Sequence, residues 1–264
     1  MGCADLPGQA LGHGIINPGD LFVTVGSGGQ VFTALDKLWF EPQGNSYTFN
    51  HAVEGRWYGQ TAMLSAGLSL RWLRDLLKMQ NDPDAYAKLS QWASEVPAGS
   101  EGLIFLPYLS GERNPHNDPN AAGMLLGLRL HHSAGHMARA VMEGVCFGLL
   151  DCINLLPNQA GGEIVLSGGI SQSETWTQIA ADIWQVHLQA VSELAAPACV
   201  GGAMLASVGT NHYANLAEAC DALELATKLI EPNNVGIYKD RYAQYNRLFP
   251  LLKNEMHALT TLDT

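Results

Sequence analysis

Basic residues are scarce. Fourteen lysines and arginines against twenty-five aspartates and glutamates leave a formal charge of −11 over 264 residues. A chain without cationic excess has little to exchange for the counterions of a nucleic acid or an anionic membrane, so neither partner is expected. Small anionic ligands are not excluded, because backbone N–H groups and helix N-termini hold anions without net positive charge. Cysteine is sparse too. Cys3, Cys146, Cys152, Cys199 and Cys220 are odd in number and never spaced as C-x-x-C, which argues for reduced thiols over a disulfide framework. No charged-then-apolar leader opens the sequence, no N-x-[ST] acceptor occurs, and no uninterrupted apolar run reaches membrane-spanning length. These absences predict a cytoplasmic protein.

Several nucleotide and nucleophile motifs are also missing. There is no G-x-x-x-x-G-K-[ST], so a P-loop with its lysine is excluded, and no G-x-G-x-x-G between a strand and a helix, which speaks against a dinucleotide oxidoreductase. G-x-S-x-G does not occur, so Ser27 is a poor nucleophile candidate. His131, His132 and His136 cluster at a helix start without a cysteine pair or a carboxylate pattern, and read as solvated polar residues; no metal ligands are assigned.

What is present is hydrophobic content sufficient for a substantial core (47% of residues) and 28 glycines. Residues 21–26, 30–35 and 46–53 are β-branched or aromatic runs separated by Gly, Pro or Asn, and predict an antiparallel meander of three neighbouring strands. Over 59–79, Leu64, Leu68, Trp72 and Leu76 recur every four residues and predict one helix with that stripe inward. Asp82 and Pro83 suit the start of a second helix, residues 103–107 read as a buried strand, and the polar loop 108–123 is too rich in proline, glycine and asparagine for regular structure. Ser133 starts a long helix, with Met137, Val141, Val145, Leu149, Cys152 and Leu156 as its inward stripe. Strand 163–167, helix 173–186, strand 187–191, a helix from about Pro197 and a helical tail follow. The order β-β-β-α-β-α-β-α predicts an α/β protein with a mixed sheet and helices on both faces. With no linker or repeat in the pattern, residues 1–264 read as one domain.

Two glycine-rich turns stand out. In VGSGGQVF (25–32) three glycines fall within four residues between two strands, which demands an unusual backbone or a close approach. In LSGGISQSETW (166–176) the turn joins a strand directly to a helix, placing N–H groups and a positive helix end beside a gap without side chains. Ser171 with Glu174, or Ser173, supplies the cap. Near the N-terminus, Asp5 is followed by small residues and by glycines at 8, 12 and 14.

Asp5, the G-S-G-G hairpin, the helix with Gly67, the loop FLPYLSGERNPHNDP and LSGGISQSETW occur in the same order as in the C-terminal half of the FGGY carbohydrate kinases. The block GMLLGLRLHHSAGHMARAVME (123–143) fits the family signature at Gly123, Leu125, Gly127, Leu128, His136, Met137, Ala140 and Glu143. Within the family the wording most resembles the xylulokinase branch. The resemblance implies a ribonuclease-H-like, actin-type ATPase domain that uses ATP and Mg²⁺ to phosphorylate a small sugar, D-xylulose first, with another pentulose, a polyol or gluconate as alternatives. By that resemblance Asp5 matches the general base for the sugar hydroxyl. Gly26, Ser27 and Gly28 match the hairpin that cradles the phosphates, Gly67 and Arg71 lie on the helix beside the nucleotide, and Gly168, Gly169, Ile170 and Ser173 match the turn around the adenosine. No role is assigned to Arg113 or His116. The resemblance further implies an engineered or natural fragment that lacks the N-terminal sugar-binding domain and is inactive alone; the apolar face so exposed would allow homodimerisation. A non-catalytic actin-like nucleotide-binding module is the alternative from another class; Asp5 and the signature block favour the kinase.

Overall fold

Along residues 21–35 apolar side chains point alternately to two faces, and that alternation decides how the layers stack. The computed structural model describes residues 2–157, 162–191 and 196–262. Strand β1 (Leu21–Val25) pairs antiparallel with β2 (Gly29–Leu35), setting Phe22 opposite Phe32 and Val23 opposite Val31. Phe22 and Phe32 join Ala34 and Tyr58 in a core on one face, whereas Val23 and Val31 enter the larger core on the other, as the two-residue period of a strand requires.

Beyond β2, strand β4 (Trp57–Met63) and then β3 (Tyr47–Asn50) extend the sheet antiparallel, so the expected three-strand meander does not form: β4 takes the place beside β2 and β3 pairs with β4. On the far side of β1, β7 (Ile164–Gly168) and β8 (Leu188–Val191) run parallel, and β9 (Thr227–Ile230) closes the edge antiparallel. The order β3-β4-β2-β1-β7-β8-β9 is a mixed seven-stranded sheet. A separate ribbon pairs β5 (Ile104–Leu106) with β6 (Met124–Leu126).

One face carries α1 (Asp5–Gly12), α6 (Pro197–Gly209) and the short α7 (Leu216–Asp221). Helices α1 and α6 meet through glycines: a side chain at Gly12 would overlap the Pro197 carbonyl, and one at Gly201 would overlap that of Gly8. The other face is built on α4 (Ala134–Asn154), whose apolar residues are buried almost all round, as befits an interior helix. Around it pack α2 (Gly67–Leu76), α3 (Ala85–Ser94), α5 (Glu174–Trp184) and α8 (Val235–Leu262). Among the described residues no helix is long and apolar enough to cross a membrane, and all five cysteines are free.

Three further expectations fail locally. Residues 57–63 form β4, held by β2 on one side and β3 on the other, so the helix expected from residue 59 begins only at Gly67. Its inward residues are Leu70 and Leu73, while Leu64 and Leu76 are exposed; a four-residue spacing drifts by about 40° per step on a 3.6-residue helix, so such a stripe cannot stay on one face. Helix α3 starts at Ala85, two residues later than the proline suggests, after a turn in which Asp82 accepts the Asp84 N–H. Helix α1 is additional to the expected elements; Pro7 is tolerated in its first turn, where no intrahelical donor is lost.

Candidate functional site

The parallel pairing of β1 and β7 brings Val25 level with Gly168, so both strands end side by side. A cleft of about 740 Å³ opens there, lined by residues of the β1–β2 turn, α2, α3 and the β7–α5 turn. Carboxyl ends of parallel strands are where α/β sheets hold ligands, because the loops diverge and leave a crevice.

The β1–β2 turn is a tight reversal in which the Gly26 N–H donates to the Gly28 carbonyl at 2.9 Å. The start of α2 packs onto it: Gly67 N–H donates to Gly26 O at 3.1 Å and Leu68 N–H to Ser27 O at 2.9 Å. Two orphan donors of the helix end are thus satisfied by the hairpin, which fixes one against the other. Any Cβ at Gly67 would overlap the Gly26 carbonyl, and one at Gly28 would lie 2.8 Å from Met63 O. Arg71, one turn into α2, reaches back with Nη2 3.3 Å from Ser27 Oγ.

Across the cleft, Gly168 has φ +89° and no room for a side chain beside Val25. Gly169 is different, since its φ is not left-handed and the nearest atom to an added Cβ would be Val25 O at 3.7 Å. Ser171 Oγ donates to Gly168 O at 2.8 Å and closes the turn. Ser173 caps α5, accepting from Trp176 N–H at 3.1 Å. Ser171, the first of the two candidate caps, is therefore a turn residue. Ser173 Oγ also lies 2.8 Å from Ser90 Oγ, tying α3 to the start of α5.

Of the nine residues assigned to the turns and α2, the structure gathers Gly26, Ser27, Gly67, Arg71, Gly169, Ile170 and Ser173 on the cleft wall. Gly28 and Gly168 lie behind it, where close packing explains them. Asp5 is not part of the cleft. It stands exposed at the start of α1, one carboxylate oxygen 2.8 Å from the Leu6 N–H, in a second groove of about 530 Å³ floored by small residues of α1 and α6. The two depressions share no lining residue.

Leu70, Tyr86, Ser90 and Trp176 also stand on the cleft wall, and no motif in the sequence points to them as site residues. Tyr86 and Ser90 are four apart and so share a face of α3, a legible spacing whose target only the tertiary fold supplies. Arg71 is the cleft's one cation among the described lining residues; its carboxylate, Glu174, is paired with Lys228 Nζ at 2.5 Å, which holds the Glu174 pKa below its usual range. Arg113 and His116 lie outside the cleft. His116 stacks on Phe249 with ring centroids 3.6 Å apart and bonds Tyr108 Oη at 3.0 Å; burial brings its pKa down to about 4.

The mixed sheet clad by helices on both faces is that of the actin-like ATPase fold. The chain belongs to the FGGY family of carbohydrate kinases, whose C-terminal domain matches residues 21–210. A xylulose kinase of Staphylococcus epidermidis is 30% identical over 254 residues, covering 95% of this chain and 50% of that protein. A gluconokinase of Bacillus licheniformis is 28% identical over 270 residues, covering 98% of this chain and 51% of that one. The crystal structure of xylulose kinase from Rhodospirillum rubrum superposes with a TM-score of 0.85 at 30% identity, over 97% of this chain and 52% of that one. The chain spans about half the length of the curated relatives it matches.

Proposed function

We propose that this chain is the nucleotide-binding half of an ATP-dependent sugar kinase that moves the γ-phosphoryl group of ATP to a hydroxyl of D-xylulose, releasing ADP. The observation that carries the reading is the pair Gly26 and Gly169. Neither has a left-handed backbone, neither is forced by packing, and both face the cleft. Glycine in such a place lets a ligand lie against the backbone with no side chain between them, the Gly26 N–H itself being spent on the Gly28 carbonyl. The N-terminal end of α5 adds a positive dipole on the same wall, Arg71 adds a charge at the rim, and Leu70, Ile170 and Trp176 offer an apolar wall for a base.

Phosphoryl transfer needs positioning and electrostatic stabilisation more than covalent chemistry. In this reading the Ser27 turn and the 168–173 turn hold the triphosphate and adenosine, and Asp5 accepts the proton of the attacking sugar hydroxyl. Mg²⁺ brought in with the nucleotide would neutralise phosphate charge; among the described cleft residues the one carboxylate near it is Glu174, paired with Lys228.

The exposed Asp5 groove and the half-length match to the relatives support a second, sugar-binding domain of the same kinase as the partner that covers Asp5. Residues 1–264 then form the single C-terminal domain. Five free cysteines fit a reducing, cytoplasmic setting. The gluconokinase relative keeps gluconate as the second substrate reading.

The test is Asp5→Asn in a protein carrying both halves, assayed with D-xylulose and with gluconate. Turnover should fall by about 10²–10⁴-fold with nucleotide affinity unchanged; wild-type turnover would remove Asp5 from the mechanism.

A further inference from the structure

We propose that Glu101, His131 and His132 form a binding site for a divalent transition-metal ion of the zinc class, apart from the nucleotide cleft. One ligand atom from each of the three residues lies within 4.8 Å of the other two. His131 Nε2 stands 3.0 Å from Glu101 Oε2, and His136 Nε2 approaches the same oxygen at 3.5 Å. A tetrahedral ion with bonds of about 2.0–2.2 Å separates its ligand atoms by about 3.3 Å. Small side-chain rotations therefore close the site.

The backbone presents Glu101 at a cost. Ser100 and Glu101 are both left-handed, with φ of +48° and +49°, a conformation that residues with a Cβ avoid and that persists only where the surroundings hold it. The turn aims the carboxylate at the segment leading into α4. There the His132 ring is wedged between His131 and His136, at centroid distances of 4.4 and 5.1 Å. His132 Nδ1 accepts the Arg129 N–H at 3.1 Å, while Nε2 is closed off from solvent without a hydrogen-bond partner of good geometry. Ligation through Nε2 moves the ring proton to Nδ1 and gives up both the Arg129 contact and the ring's contact with the Glu101 backbone.

Two imidazoles and one carboxylate suit Zn²⁺, Co²⁺, Ni²⁺ or Cu²⁺ and not Mg²⁺, which prefers an octahedral oxygen shell. None of the three residues lines the cleft, so such an ion would not compete with Mg²⁺ of the nucleotide. It would staple the turn before β5 to the start of α4, with water or His136 in the fourth position.

The experiment is titration of Co²⁺ into the purified 264-residue chain, followed by visible absorption, then displacement by Zn²⁺ with calorimetry. One equivalent with tetrahedral d–d bands is expected. His131→Ala and Glu101→Gln, both at exposed positions, should each weaken binding at least about tenfold and leave the metal-free melting temperature unchanged. Cys3 and Cys199 are exposed thiols, so Cys3→Ser and Cys199→Ser are run alongside. No saturable binding would overturn the proposal. So would binding that survives both site variants, or that disappears with the cysteines and shows thiolate-to-cobalt charge transfer; either would leave Glu101 a mere acceptor for its histidine neighbours.

Discussion

Gly67 and Gly169 have the same composition and opposite reasons for it. Gly67 is demanded by the Gly26 carbonyl pressed against it, whereas Gly169 has space for a methyl group on the protein side. Gly67→Ala should destabilise the chain by about 1–3 kcal/mol through overpacking, and Gly169→Ala should leave urea unfolding unchanged. This difference is not legible in the sequence, because the atom that crowds Gly67 is forty-one positions away. Glu112 is a second residue whose role comes from its surroundings: its Oε1 accepts from Leu64 N–H at 2.9 Å and Arg113 N–H at 2.8 Å, tying the polar loop to the turn before α2. Burial raises its pKa from 4.5 to about 7, against those hydrogen bonds. The folded state then binds more protons than the unfolded state between those values, so this group's contribution falls as pH rises through about 7. Asp151, raised by burial to about 7, acts in the same direction. Glu112→Gln should flatten the loss of stability between about pH 5 and pH 8 by on the order of 1–3 kcal/mol, read from unfolding curves across that range. A variant with the wild-type slope would show that the carboxyl ionises without penalty.

Elements were legible where one period dominates. Strands β1, β2, β7 and β8 follow from β-branched alternation, and α4 from Ser133, which caps it in a reciprocal box with His136. Strand β4 was not, because Gly59, Gln60 and Thr61 carry no strong signal alone and the strand exists through its two neighbours. The signature block 123–143 turns out to hold elements together. Fully buried Glu143 accepts from Arg139 Nε, Gly99 N–H, Tyr238 Oη and Ser100 Oγ at 2.8–3.0 Å, joining α4, α8 and the turn before β5. Removing it leaves the Arg139 guanidinium buried and uncompensated, so Glu143→Ala should cost about 3–5 kcal/mol. Chemical denaturation measures this, and a loss under about 1 kcal/mol would mean that water replaces the carboxylate there.

At the scale of the whole molecule, the alternation of strands and helices predicts a mixed sheet, and the family resemblance points to the residues around the cleft. What sequence spacing does not contain is the parallel pairing of β1 with β7, residues 21–25 beside 164–168, which creates the cleft. Nor does it contain the separation of Asp5 into a groove of its own, since that depends on how α1 packs against α6. The gathered turns are expected to bind a nucleotide. Titration calorimetry of Mg·ATP into the purified chain and its Gly169→Ala variant tests it most directly. Saturable binding at one site is expected, weakened at least about tenfold in a variant of unchanged stability, because a methyl group there displaces a close phosphate or adenosine contact. Absence of saturable heat, both from this chain and from a protein carrying both halves, would contradict it.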